Sequence, residues 1–329
     1  MRHAVAVHLR GIKELHKVSP KFFPILTLHC FVSAISPYLT VFFSAQILKE
    51  LALLRREDLI WKWVIAGVLC GGVVAIARAM LQRRYNTLFN DLWGRKEILF
   101  IHKMFSLDFS ELDKQENHDL RAQISQNENW SGWGLMKIQE VYVSFVTSVF
   151  GILSGIALTV SLFTSSVPES AGLLVALNHP VFILVLAVLI ILISILAGRL
   201  SGKATKCWSD YAEEATFGNR LFGHFGFIGT DKERSVDIRM NSQQDLVSAY
   251  WNKNSGADGP IGKAAQGRMG IYSGLGVCIT TVITGFIYVF TCLKAWGGAF
   301  DVGSITQYVG AATAMAASVF ELTGLFSIL

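Results

Sequence analysis

Few residues in this chain have the type and spacing that chemistry needs. His102, His118 and His224 lie in polar stretches, and His118 adjoins Asp119. None has a partner at the spacing of a metal site. The chain contains no HExxH and no GxSxG. A phosphate-cradling GxxxxGK[ST] is also absent. The nearest pieces, GKAAQG from Gly262 and GLGVC from Gly274, lack its length and its Lys-Ser/Thr end, and neither follows a strand pattern. Cys30, Cys70, Cys207, Cys278 and Cys292 form no CxxC pair, and four of them fall in apolar runs, where cysteine behaves as a small hydrophobe. These absences argue against a metal centre, a nucleophilic site and an embedded catalytic site. What remains are two ionisable residues in apolar surroundings, Arg78 and Glu321. Such residues usually face a bundle interior or a watery path.

The segments that would position these two residues are long and apolar. The hydrophobic fraction is 52% and only 16% of residues are charged, against about a quarter in an ordinary soluble domain. Six runs reach the length of about 20 residues that a bilayer crossing needs: 22–48, 59–81, 138–163, 180–200, 269–293 and 302–329. The expected fold class is therefore all-α, a polytopic membrane protein with six transmembrane helices. The N-terminal residues 1–21 read as an amphipathic interfacial helix, with Val5, Leu9, Ile12 and Leu15 on one side and Arg2, Arg10, Lys13 and Lys17 elsewhere. Pro20 and Pro24 separate it from the first span. No small-residue cleavage site follows that span, so no cleavable signal peptide is expected.

Between spans two and three, and between four and five, the chain turns polar for dozens of residues. Past Arg78 the second helix is expected to leave the membrane and continue, with no strong stop until near Phe105. The N-terminus and the two excursions carry most of the Lys and Arg, whereas the 164–179 loop carries none. The positive-inside rule puts the N-terminus and both excursions in the cytoplasm, although the 49–62 loop, with Arg55 and Arg56, argues the other way. The net charge of +5 fits basic loops and does not suggest nucleic-acid binding.

Two stretches carry a family resemblance. MFSLDFSELDKQENHDLRAQI, from Met104, and NRLFGHFGFIGTDKERSVDIRMNSQ, from Asn219, resemble the two coupling segments of exporter-type ATP-binding-cassette (ABC) transporters, and the six-span layout resembles their transmembrane domain over residues 22–329. The second stretch is read as Thr-Asp, a charged pair, then an Asp-Ile-Arg that restarts a helix. The resemblance implies coupling to ATPase domains through Ser110, Glu111, Leu112, Asp113, Lys114, Gln115, Glu116 and Asn117, and through Gly229, Thr230, Asp231, Lys232 and Glu233. Asp108 or Ser110 is expected to cap the first coupling helix, and Thr230 or Asp231 the second. It implies a substrate path drawn from Ser36, Tyr38, Gln46, Thr280, Thr281, Thr284, Gln307 and Tyr308. Glu321 either joins that path or lies outside the bilayer on an extended sixth helix, and Arg78 is read as snorkelling to the interface. The implied partners are a second transmembrane half, identical or related, nucleotide-binding domains and the lipid bilayer. ATP and Mg are expected only through ATPase domains, since this chain carries no such motif. Ending in an apolar helix at Leu329, the chain reads as a fragment, a truncation or a subunit served by a separate ATPase. The alternative expectation is a non-transporting docking or regulatory protein with the same fold.

Overall fold

A computed structural model describes residues 2–126, 128, 134–214, 228, 231–255 and 265–328. Among them there is no strand, and six helices are long and apolar enough to cross a membrane. This is the composition of a multi-pass membrane protein.

The chain opens with α1 (Arg2–Val18) and turns at Ser19 into α2 (Phe22–Lys49). Pro24 sits in the first turn of α2, where a missing N–H costs nothing. At its far end α2 widens into a π turn, Glu50–Leu54, which Arg55 closes with a left-handed backbone (φ 47°). The next helix, α3 (Glu57–Phe105), has 49 residues and acidic Glu57 and Asp58 in its first turn, where the helix dipole favours them. It is about 74 Å long, more than twice the roughly 30 Å of a hydrocarbon core. Its stop at Phe105 leads into a single turn, α4 (Phe109–Leu112), and then α5 (Gln115–Gln126). The remaining helices are α6 (Lys137–Thr164), α7 (Pro180–Glu214), α8 (Lys232–Met240), α9 (Gln244–Ser255), α10 (Gly270–Trp296) and α11 (Val302–Ile328), with a 3-10 stretch, Glu169–Asn178, between α6 and α7.

The helices alternate in direction, so the bundle has two ends. Residues 50–56, 165–179 and 297–301 form one, here called the rim. The other, the base, holds α1 and the polar excursions. Helix α11 is central and packs on α2, α6, α7 and α10. Small residues permit this: a Cβ on Gly310 would come within 2.9 Å of Val41, and one on Gly155 within 2.6 Å of Met315. At the base, Leu15, Phe22, Phe23, Leu26 and Leu92 join α1, α2 and α3 in one apolar cluster that also takes in Ile138 of α6. A second cluster, around Ile190, Ile283 and Val309, joins α7, α10 and α11. A third, near the rim, contains Leu162, Phe290 and Tyr308. Helix α3 rests chiefly on α2 and leaves Trp61, Val68, Val73 and Met80 exposed.

Candidate functional site

Three groups of residues stand out: the tips of the excursions, a polar seam inside the bundle, and the ties at the rim.

At the first tip the structure breaks what the sequence suggested as one coupling helix into two. Ser110, Glu111 and Leu112 lie in α4, Asp113 and Lys114 form a turn, and Gln115, Glu116 and Asn117 begin α5. Asp108 occupies the N-cap position with extended backbone, but neither its side chain nor that of Ser110 accepts a capping bond. The turn is held by Lys114 Nζ donating to Glu111 Oε1 (2.5 Å) and by Asn117 Nδ2 donating to the Glu111 carbonyl (2.6 Å). The bond from Asn117 satisfies a carbonyl at the end of α4 and does not serve the N–H groups that the expected cap would have met. Phe105 and Phe109 flank this turn, 85% and 82% exposed.

At the second tip the cap is as expected. Asp231 Oδ1 accepts from the backbone N–H groups of Glu233 (3.1 Å) and Arg234 (3.3 Å), opening α8 at Lys232. Gly229 and Thr230 lie outside the described residues. The Asp-Ile-Arg at Asp237–Arg239 does not restart a helix, because it forms the last turn of α8. The break comes at Asn241 and at Ser242, whose φ of 51° ends the helix, and the chain restarts at Gln244. Val236 and Met240 are exposed here, Met240 by 78%. The first tip is braced from behind. Buried Lys96 pairs with Glu128 and lies 4.0 Å from the centre of the Trp93 ring. Glu97 takes a bond from Arg121 (2.5 Å). Partial burial raises the Glu97 pKa, but the bond and charge of Arg121, with the charge of Lys96, outweigh it and leave that carboxyl below its usual range.

The polar seam runs between α2, α6 and α11. Tyr38 is buried and donates to the Gly151 carbonyl (2.7 Å). Ser318 packs over Gly151, where a Cβ would meet its Oγ at 2.2 Å. One turn away, buried Ser148 donates to Glu321 Oε2 (3.3 Å), and the rest of the Glu321 side chain is exposed. Ser148 lies eleven residues into α6, about 16 Å from its start, so Glu321 faces α6 within the apolar length of the bundle. Gln307 approaches the Leu158 carbonyl at 3.5 Å, nearer the rim.

The other path residues do not converge on this seam. Ser36 lines a cleft between α2 and α3. Gln46 is half-buried near the rim. Thr280, Thr281 and Thr284 donate to carbonyls of their own helix, at Val277, Val277 and Thr280. Tyr308 is buried edge-on against Phe300 (4.8 Å).

The rim ties are the features that the sequence did not single out. Lys294, at the end of α10, is fully buried, and its ammonium donates to the carbonyls of Leu162 (2.8 Å) and Ser165 (2.7 Å) at the end of α6. A helix C-terminus is where a cation is favoured. Lys49 of α2 pairs with Asp301 (3.3 Å), which also accepts from Ser304 N (2.8 Å) and Ser304 Oγ (3.0 Å) at the start of α11. Burial raises the Asp301 pKa, but the Ser304 bonds and Lys49 outweigh it, so the carboxyl titrates below its ordinary value.

Among the described residues no three His, Cys, Asp or Glu side chains gather as a metal site. No protein-family model matches the chain, and no curated protein matches it.

Proposed function

We propose that this chain is the membrane-spanning half of an ATP-driven exporter of the ABC type. In this reading the base and the N-terminus are cytoplasmic, and a second copy or a related chain completes the pore. Separate or attached ATPase domains, which hold ATP and Mg, seat on the two tips. The observation that carries the reading is the pair of tips themselves. Two polar excursions, from different parts of the chain, each carry a short helix with large apolar side chains uncovered on or beside it: Phe109 on α4 with Phe105 at the end of α3, and Val236 and Met240 on α8. Such side chains on otherwise polar segments suit docking into grooves of a partner. Movement of the tips would then shift the spans between inward- and outward-open states. Glu321, with its carboxylate exposed beside the seam, is the side chain best suited to meet a cationic group on the cargo.

The test is to purify the chain from its native membrane in mild detergent and to measure intact mass and ATP hydrolysis together. The expected result is ATPase activity that travels with the chain and falls about tenfold, or about 1.4 kcal/mol of lost docking, in a Phe109→Asp, Met240→Asp variant. A chain that carries no ATPase, in cis or in trans, would defeat the exporter reading and favour a non-transporting docking protein.

A further inference from the structure

The cleft between α2 and α3 has a shape and a charge that the tips and the seam do not use. Near the rim Phe42 and Phe43 meet Trp63 beside it (6.3 and 6.4 Å between ring centres). Towards the base, beyond Gln82, His29 stacks on Tyr85 (5.9 Å). Between these ring contacts the open-sided cleft holds about 610 Å³. Its α3 wall is a four-residue repeat of small side chains, Gly67, Gly71, Ala75 and Ala79, and a Cβ on Gly71 would touch nothing within 4 Å. The α2 wall offers the hydroxyls of Ser36, Thr40 and Ser44 among Leu39 and Phe43. Thr40 spends its proton on the Ser36 carbonyl.

The lining runs along α3 from Val64 to Gln82, about 27 Å at 1.5 Å per residue. That is long enough for an extended acyl chain to lie along α3.

Arg78 is the one charged residue in the lining. It is exposed, and it makes no ion pair with any described residue. It lies two turns above Tyr85, whose hydroxyl accepts from Gln139 at the very start of α6. That hydrogen bond marks the polar edge of the bundle, and Arg78 is about 10 Å inside it. A guanidinium there, at the mouth of an apolar channel, is complementary to a phosphate diester carrying an acyl chain.

We propose that this cleft binds an anionic phospholipid from the leaflet at the base, its phosphate on Arg78 and one acyl chain along the Gly71–Ala75 wall towards Phe43 and Trp63. The inference needs only that α2 and α3 cross a bilayer. It stands or falls separately from the exporter reading.

The test uses the full chain in detergent and measures lipids retained per chain by intact-complex mass spectrometry. The probes are phosphatidylglycerol and phosphatidylcholine with identical acyl chains. The expected result is one tightly retained phosphatidylglycerol, preferred about tenfold. Arg78→Gln should abolish the preference and Arg78→Lys should keep most of it. Gly71→Leu, at an exposed position where an added Cβ meets nothing within 4 Å, should lower retention of both lipids. An unchanged preference in Arg78→Gln overturns the proposal. So does efficient disulfide formation between two copies bearing Ala75→Cys in native membranes, because the cleft would then be covered by protein.

Discussion

Two lysines close the rim, and they do it differently. Lys294 carries its charge to full burial, where it bonds backbone carbonyls at the end of α6 and meets no carboxylate among the described residues. Lys49 stays about half exposed and meets a carboxylate that already holds two bonds from Ser304. Withdrawing Lys294 would strand an ammonium and two carbonyls without partners, whereas withdrawing Lys49 would leave both charges satisfied, one by water and one by the start of α11. The contact between α6 and α10 is therefore a fixed joint, and the contact between α2 and α11 is one that can part at low cost. An unpaired buried charge costs several kcal/mol, while an exposed pair contributes at most about 1 kcal/mol.

The largest effect should come from Lys294→Met. Its loss leaves the Leu162 and Ser165 carbonyls unpaired, and two charge-assisted bonds at about 1.5–3 kcal/mol each set the scale. We expect about 3 kcal/mol of destabilisation in detergent unfolding. A variant as stable as the parent would erase the contrast between the two joints. Next, Gly303→Ala places a Cβ 2.4 Å from the Ala45 carbonyl and 2.7 Å from Lys49 N, both backbone atoms. Overpacking should cost about 1–3 kcal/mol and force α2 away from α11, read as faster labelling of a cysteine placed at Lys49.

The Asp301 joint also predicts a pH dependence. Its folded pKa is depressed below the ordinary 3.8, so its contribution is fully present above that value and disappears as pH falls through the lower folded pKa. Asp301→Asn should flatten the acid limb of the unfolding curve. If the limb is unchanged, Asp301 does not tie the rim. The smallest effect belongs to Lys49→Gln, under about 1 kcal/mol, and it should leave stability nearly intact while easing separation of α2 from α11. A loss as large as that of Lys294→Met would show both joints to be fixed.

The long helices were legible because their signals are local. Apolar length gave six spans, and a polar but uninterrupted pattern beyond Arg78 predicted a helix running to near Phe105, where α3 stops. Asp231 was legible as a cap for the same reason. Asp237 was not. Its sequence neighbourhood resembles a helix start, but the helix begins earlier, under the Asp231 cap, and turns at Ser242. The path residues fared unevenly. Tyr38 and Glu321 both meet α6, but hydroxyls such as Thr280 and Thr281 are satisfied by their own helix, a choice that composition does not reveal. Lys294 and Lys96 look like surface lysines in sequence. Their burial comes from α6 in one case and from Glu128, thirty-two residues on, in the other.

Helix α3 is held at three levels: Trp63 meets Phe42 and Phe43, Leu92 enters the base cluster, and Tyr85 stacks on His29 and bonds Gln139. Twenty residues run from there to Phe105 and twenty-eight back to Glu57, arms of about 30 Å and 42 Å. Braced on both sides of Tyr85, α3 is a strut and not a free lever, so a push at the exposed Phe105 tip is carried along α2 towards the rim.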